Sequence, residues 1–160
     1  MTQRYENRQI ALHWIIVVLI ALQFVLHDPI SEAFDEVVDG AAPAFSPFVG
    51  LHIFVGFCVF ALMLVRLNLR MSLGAPPAPD AEPPLFQKLA KIAHWAFYAL
   101  VICMPVSGAV AWFRASESAA DAHEVMKFLL LALIAAHVGG VVVHQFVWKT
   151  NLIQRMLLKR

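Results

Sequence analysis

The chain has 160 residues, 61% of them hydrophobic and 14% charged, with a mean hydropathy of +0.72. Soluble domains carry about 25% charged residues, so this balance excludes an ordinary soluble enzyme and indicates one integral membrane domain spanning residues 1–160. The formal net charge of +1 says little until its distribution is known, and it gives no reason to expect a nucleic-acid partner.

Arg4 and Arg8 precede an apolar run, as in a signal peptide, but no small-x-small cleavage site follows, so Ile10–Leu26 is expected to stay as a first span, reaching back toward Tyr5. His13 lies three residues into it, and His27 at its far end is expected at the surface. Asp28–Pro47 is an acidic stretch bounded by prolines, read as a loop. The second span is Phe48–Leu69, with His52 near its start, Gly56 one turn on, and Arg66 and Arg70 at its end. Met71–Pro84 is a proline-rich connector that cannot continue a helix. The third span, Ile92–Phe113, opens on His94 and is interrupted by Pro105 and Gly108. Arg114–Ala122 is expected to be a short polar turn, and Val125–Trp148 is the fourth span. Each run is long enough for a hydrocarbon core of about 30 Å, and a lipid-facing backbone must satisfy its own hydrogen bonds. The expected fold is therefore an all-α, four-helix membrane bundle. Cys58 and Cys103 lie inside apolar runs and are read as small core residues.

Charge placement gives the orientation. Ten of the twelve cations (Arg4, Arg8, Arg66, Arg70, Lys88, Lys91, Lys149, Arg155, Lys159, Arg160) fall on one side, leaving Arg114 and Lys127 on the other. Both termini are then cytoplasmic. The outer side is acidic, with Asp28, Glu32, Asp35, Glu36, Asp39, Glu117, Asp121 and Glu124.

Ionisable residues within spans are costly, so each is a functional hypothesis. His123 and His137 are separated by about 21 Å of helix and about 40° of bearing, so they face one way at two depths, and His144 is two turns beyond. His52 and His123 can meet near the outer surface; His13 can meet either His137 or His144 near the inner one. Spacing leaves that choice open. Two His–His pairs without a thiolate site suit two six-coordinate b-type haems, because haem iron accepts imidazole as an axial ligand. Gly56, Gly139 and Gly140 lie beside these histidines, where a flat macrocycle or ordinary helix packing needs small residues. Arg66 and Arg70 are offered as contacts for the inner haem's propionates. A transporter using the histidines directly predicts carboxylates inside the spans, and the first three spans have none.

RQIALHW around His13, His52 followed by VRLNLR, the proline-rich connector, HWAFYALVICMPVSG from His94, and DAHEV, AAHVGG and VHQFVWKTN in the last span resemble the bacterial cytochrome b561 family over nearly the whole chain. The resemblance implies a di-haem b protein of the bacterial inner membrane, with His13, His52, His123 and His137 as iron ligands, paired His52–His123 outside and His13–His137 inside. It leaves His94 and His144 free, and these, with Trp148, are expected to border a quinone site near the inner haem. Members similar to this chain are superoxide oxidases, which pass an electron from periplasmic superoxide to ubiquinone. The donor expected by resemblance is superoxide, with Arg114 and Lys127 as the outer cations available to meet it. The alternative is a di-haem membrane subunit serving a periplasmic dehydrogenase or hydrogenase, docked through the acidic stretch.

Overall fold

A computed structural model of the chain describes residues 4–42, 46–79 and 81–158; Lys159 and Arg160, two of the expected inner-side cations, lie outside the described residues. Five helices follow in order: α1 Asn7–Val25, α2 His27–Val38, α3 Pro47–Leu73, α4 Pro84–Arg114 and α5 Glu117–Phe146, with a final 3₁₀ turn over Leu152–Met156. No strand occurs among the described residues. Four of them, α1, α3, α4 and α5, are long and apolar enough to cross a membrane.

The spans outrun their apolar cores because a helix continues for as long as its backbone can bond i to i−4, whatever the side chains. α3 and α4 each begin on a proline, Pro47 and Pro84, where the missing N–H costs nothing. α3 ends at Gly74 with φ 74, a conformation that glycine adopts without a Cβ penalty. The polar turn between the last two spans is reduced to Ala115 and Ser116. Ala115 is left-handed at φ 47, and the Ser116 hydroxyl caps α5 by accepting from the Ala119 N–H at 3.4 Å. His123 therefore sits six residues inside α5 instead of opening it. At the other end α5 stops at Phe146, short of Trp148, and the chain turns through Lys149 and Asn151 at positive φ.

The acidic stretch is the main departure from the sequence reading. It is a helix, α2, and not a loop. Pro29 falls in the first turn, where no N–H is needed, and Asp28 beside it suits the positive end of the helix dipole. Ala33 is buried, Phe34 and Val37 are half-buried, and Asp28, Glu32, Asp35, Glu36 and Asp39 are exposed. The helix thus lies over the bundle end with its acids outward.

α4 packs most extensively on α5, α1 on α3, and α3 on α4. Their shared core is Ile16, Val55, Val59, Met63, Val101 and Leu130. Large apolar side chains cover the outside, with Val18 65%, Phe54 65%, Phe113 66% and Phe146 72% exposed. Cys103 is also exposed and Cys58 is half-buried, so only Cys58 comes near the expected core position. In water such a surface would drive association; in hydrocarbon it is the solvent-matched face. The four spans put both chain ends on one side, the basic end, and α2 on the other, the acidic end.

Candidate functional site

At the acidic end His52 from α3 and His123 from α5 line the same two clefts. The larger holds about 870 Å³ of empty space, mouth included, and is walled by Ile53, Gly56, Phe57, Gly108, Trp112 and Phe113, with Ile30 and Phe34 of α2 above. Its lining is mostly apolar with a few convergent polar groups, the character of a ligand pocket.

His123 is held by α4. Its Nδ1 lies 2.9 Å from the Met104 carbonyl and 3.2 Å from the Ser107 hydroxyl, which itself donates to Met104 at 2.8 Å. A carbonyl can only accept, so Nδ1 carries the proton and Nε2 keeps a bare lone pair. This is the arrangement a metal-binding imidazole needs, with its other nitrogen fixed by a backbone acceptor. Gly108 makes the approach feasible: an added Cβ would stand 3.1 Å from both Cε1 and Nδ1 of the ring. Gly108, read from the sequence as an interruption of the third span, lies against the histidine.

His27 is half-buried and lines both clefts beside His52, so the expectation of a surface residue is corrected. Its Nε2 accepts from the Lys127 ammonium at 3.1 Å, and Lys127 also pairs with Glu124. Of the two outer cations, Lys127 thus reaches the cleft, whereas Arg114 is exposed at the end of α4.

The basic end is built differently. His13 of α1 lies within Coulombic reach of Arg66, His94 and His137. The His137 ring meets His94 edge-on at 5.7 Å and Phe97 at 5.4 Å. His94 Nδ1 bonds the Ala90 carbonyl one turn back at 2.6 Å. Arg66 donates to the Gln9 carbonyl, and Gln9 Nε2 reaches the Gly74 carbonyl at 3.1 Å. Arg70 has a buried Nη1 with no partner, a donor free for an anionic group.

His144, two turns beyond His137, has its own partners. It is 7% exposed, with Nδ1 2.9 Å from the Thr150 hydroxyl and Nε2 3.4 Å from the carboxylate of Glu82, itself 6% exposed. Trp148 covers the ring at 4.7 Å and Phe86 meets Trp148 at 5.2 Å. His94 lies beside His137 and also within Coulombic reach of Glu82, so the Glu82 carboxylate stands between the His13–His137 cluster and His144, both of whose nitrogens are engaged. Glu82 was not singled out from the sequence, although it and Asp80 are the two acids among the prolines of the connector.

The residues fit b-type haem. One imidazole is oriented with Nε2 bare, glycine lets it approach, the clefts are apolar, and buried donors on His52 and Arg70 lack partners. An added Cβ at Gly139 or Gly140 meets nothing within 4 Å, so chain packing does not require glycine there.

The family model described as prokaryotic cytochrome b561 matches residues 4–159. The chain is 32% identical over 164 residues to cytochrome b562 of Cereibacter sphaeroides, covering all of both chains. It is 26% identical to the probable superoxide oxidase CybB of Yersinia pestis, covering all of this chain and 99% of that one. To cytochrome b561 homolog 1 of Escherichia coli K12 it is 23% identical, covering 98% of each. The chain belongs to the prokaryotic cytochrome b561 family, membrane proteins that carry electrons on b-type haem.

Proposed function

We propose that this protein carries electrons across the bacterial inner membrane through two b haems, from a donor at the acidic, periplasmic end to ubiquinone in the membrane at the basic, cytoplasmic end. His52 and His123 hold one iron and His13 and His137 the other, with Arg70, and secondarily Arg66, toward propionates of the inner haem. The observation that carries the reading is His123 itself, its Nδ1–H on the Met104 carbonyl and its Nε2 free in a cleft shared with His52. His144 is a poor alternative to His137 as ligand, since displacing Glu82 and Thr150 would leave buried polar groups unpaired. Bound haem supplies one-electron chemistry; the chain orients the imidazoles and keeps the path apolar.

For the donor, superoxide is supported by the likeness to the Yersinia relative and by Lys127 at the cleft. His94, His144 and Trp148 remain the proposed border of the quinone site, with Phe86 beside Trp148 and Glu82 near both histidines. An absorption spectrum of the purified protein is the first test: reduced b-type bands with two haems per chain are expected, and a colourless protein overturns the reading. Stopped-flow mixing of superoxide with the oxidised protein tests the donor. Haem reduction that proceeds no faster than when superoxide dismutase has first removed the superoxide rules superoxide out as donor.

A second reading has one observation in its favour. The outward acids of α2 form a single helical face, suited to a basic periplasmic redox protein for which this chain would be the di-haem membrane subunit. Co-purification of such a partner in mild detergent favours it; full activity of the isolated chain counts against it.

A further inference from the structure

His123 has a fixed acceptor for its second nitrogen, and His52, its proposed partner across the iron, has none. His52 Nδ1 is buried without a hydrogen-bond partner. If Nε2 of His52 faces iron, Nδ1 must carry the proton, and a buried N–H without an acceptor costs about 1–3 kcal/mol. The acceptors around it are few. Nε2 of His27 is taken by Lys127, and Glu124 has Oε1 on Lys127 with its side chain 44% exposed to the outside.

Gln23 remains. It is the only polar residue of the first span between Trp14 and Leu26, and it lines both clefts with His52. Its Nε2 donates to the His52 backbone carbonyl at 3.1 Å, which anchors the amide on the same residue. Its Oε1 is buried and has no donor. Gly56, one turn after His52, leaves room for this amide: an added Cβ would stand 3.1 Å from Gln23 Nε2. A buried donor without an acceptor and a buried acceptor without a donor thus belong to two residues already bonded to each other. Gly56, read from the sequence as space for a macrocycle or for helix packing, makes room for Gln23.

We infer that Gln23 is the positioning residue of the outer haem ligand, its Oε1 accepting the Nδ1 proton of His52 once iron holds Nε2. The inference rests on the proposed His52–His123 ligation. Such an acceptor gives the imidazole anionic character, strengthens it as a ligand and favours ferric iron, and losing one costs 10–100-fold in metal affinity or activity. The competing acceptor is the Leu26 carbonyl, which stands near the ring without hydrogen-bond geometry.

The test is a spectroelectrochemical titration of full-length, haem-loaded protein, with haem content measured alongside, for wild type, Gln23→Leu and Gln23→Glu. In Gln23→Leu one of two haem waves should move toward easier reduction by about tenfold in its equilibrium constant, 59 mV for one electron. Gln23→Glu, of the same shape and a stronger acceptor, should move that wave the other way. The second wave should stay in place in both. Loss of one haem in Gln23→Leu, restored in Gln23→Glu, supports the same conclusion. Two unmoved waves and full haem content in both variants overturn it in favour of Leu26. A wild type without two haems overturns the ligation on which the inference depends.

Discussion

The two ends of the bundle solve opposite problems with the same residue type. At the acidic end the histidines are seated by neighbouring helices and face open clefts: His123 on the Met104 carbonyl, His52 bonded through its backbone to Gln23. At the basic end the connecting segments are tied down over the site. Gln9 holds Gly74, Arg155 donates to the Pro77 carbonyl at 2.7 Å, Trp14 donates to Met156 at 2.8 Å, and Glu82 meets His144. One end is shaped to admit a ligand and the other is stapled from four parts of the chain. The proline-rich connector needs those staples because proline removes its backbone donors, so side chains from α1, α5 and the final 3₁₀ turn hold it.

The strongest way to break the comparison is to remove one ligand from each end. His52→Ala should leave about one haem per chain, because an iron that loses an axial imidazole is held by the other alone. His13→Ala should do the same at the opposite end, the two losses being distinguishable by which redox wave disappears. Loss of both haems from either variant would mean that the ends are not independent.

The next largest effect sharpens the acidic end. Gly108→Leu puts a side chain where a Cβ alone stands 3.1 Å from the His123 ring, and the imidazole must turn off the Met104 carbonyl. A 10–100-fold fall in affinity for one haem is expected, read as haem content under competition with apomyoglobin. Gly139→Ala, with nothing within 4 Å of its added Cβ, is the control for general helix packing.

At the basic end the expected losses are in stability. Glu82→Ala leaves the buried His144 Nε2 without its partner and should cost about 1–3 kcal/mol, seen as a lower thermal midpoint of the purified protein. Trp14→Phe removes one exposed hydrogen bond to Met156 and should cost about 0.5–1.5 kcal/mol at most. If Trp14→Phe cost more than Glu82→Ala, the weight placed on the buried pair would be misplaced.

Much of the frame was legible in the sequence. Four apolar runs become α1, α3, α4 and α5 because a chain in hydrocarbon has no other way to bond its backbone. That His52 and His123 lie at one depth was also readable, since 1.5 Å per residue converts position into depth, whereas the same reckoning left the partner of His13 open. The missed helix α2 shows the limit of that reasoning. Its acids suggested a loop, but Ala33, Phe34 and Val37 recur at helical spacing and find the bundle end to cover.

What the sequence by itself determined is the membrane bundle, the separation of a basic from an acidic end, and a set of histidines at distinct depths. These follow from composition and helical periodicity, which are local. Only the tertiary structure decided that Gly108 serves His123, that the Gln23 amide bonds the backbone of His52, that His27 turns inward to Lys127, and that Glu82 ties the proline-rich connector to His144. Each of those depends on which elements of the fold face one another, and on atoms from residues 15 to 100 positions apart. Period and hydropathy specify how far along a helix a side chain lies. They do not specify what stands opposite it.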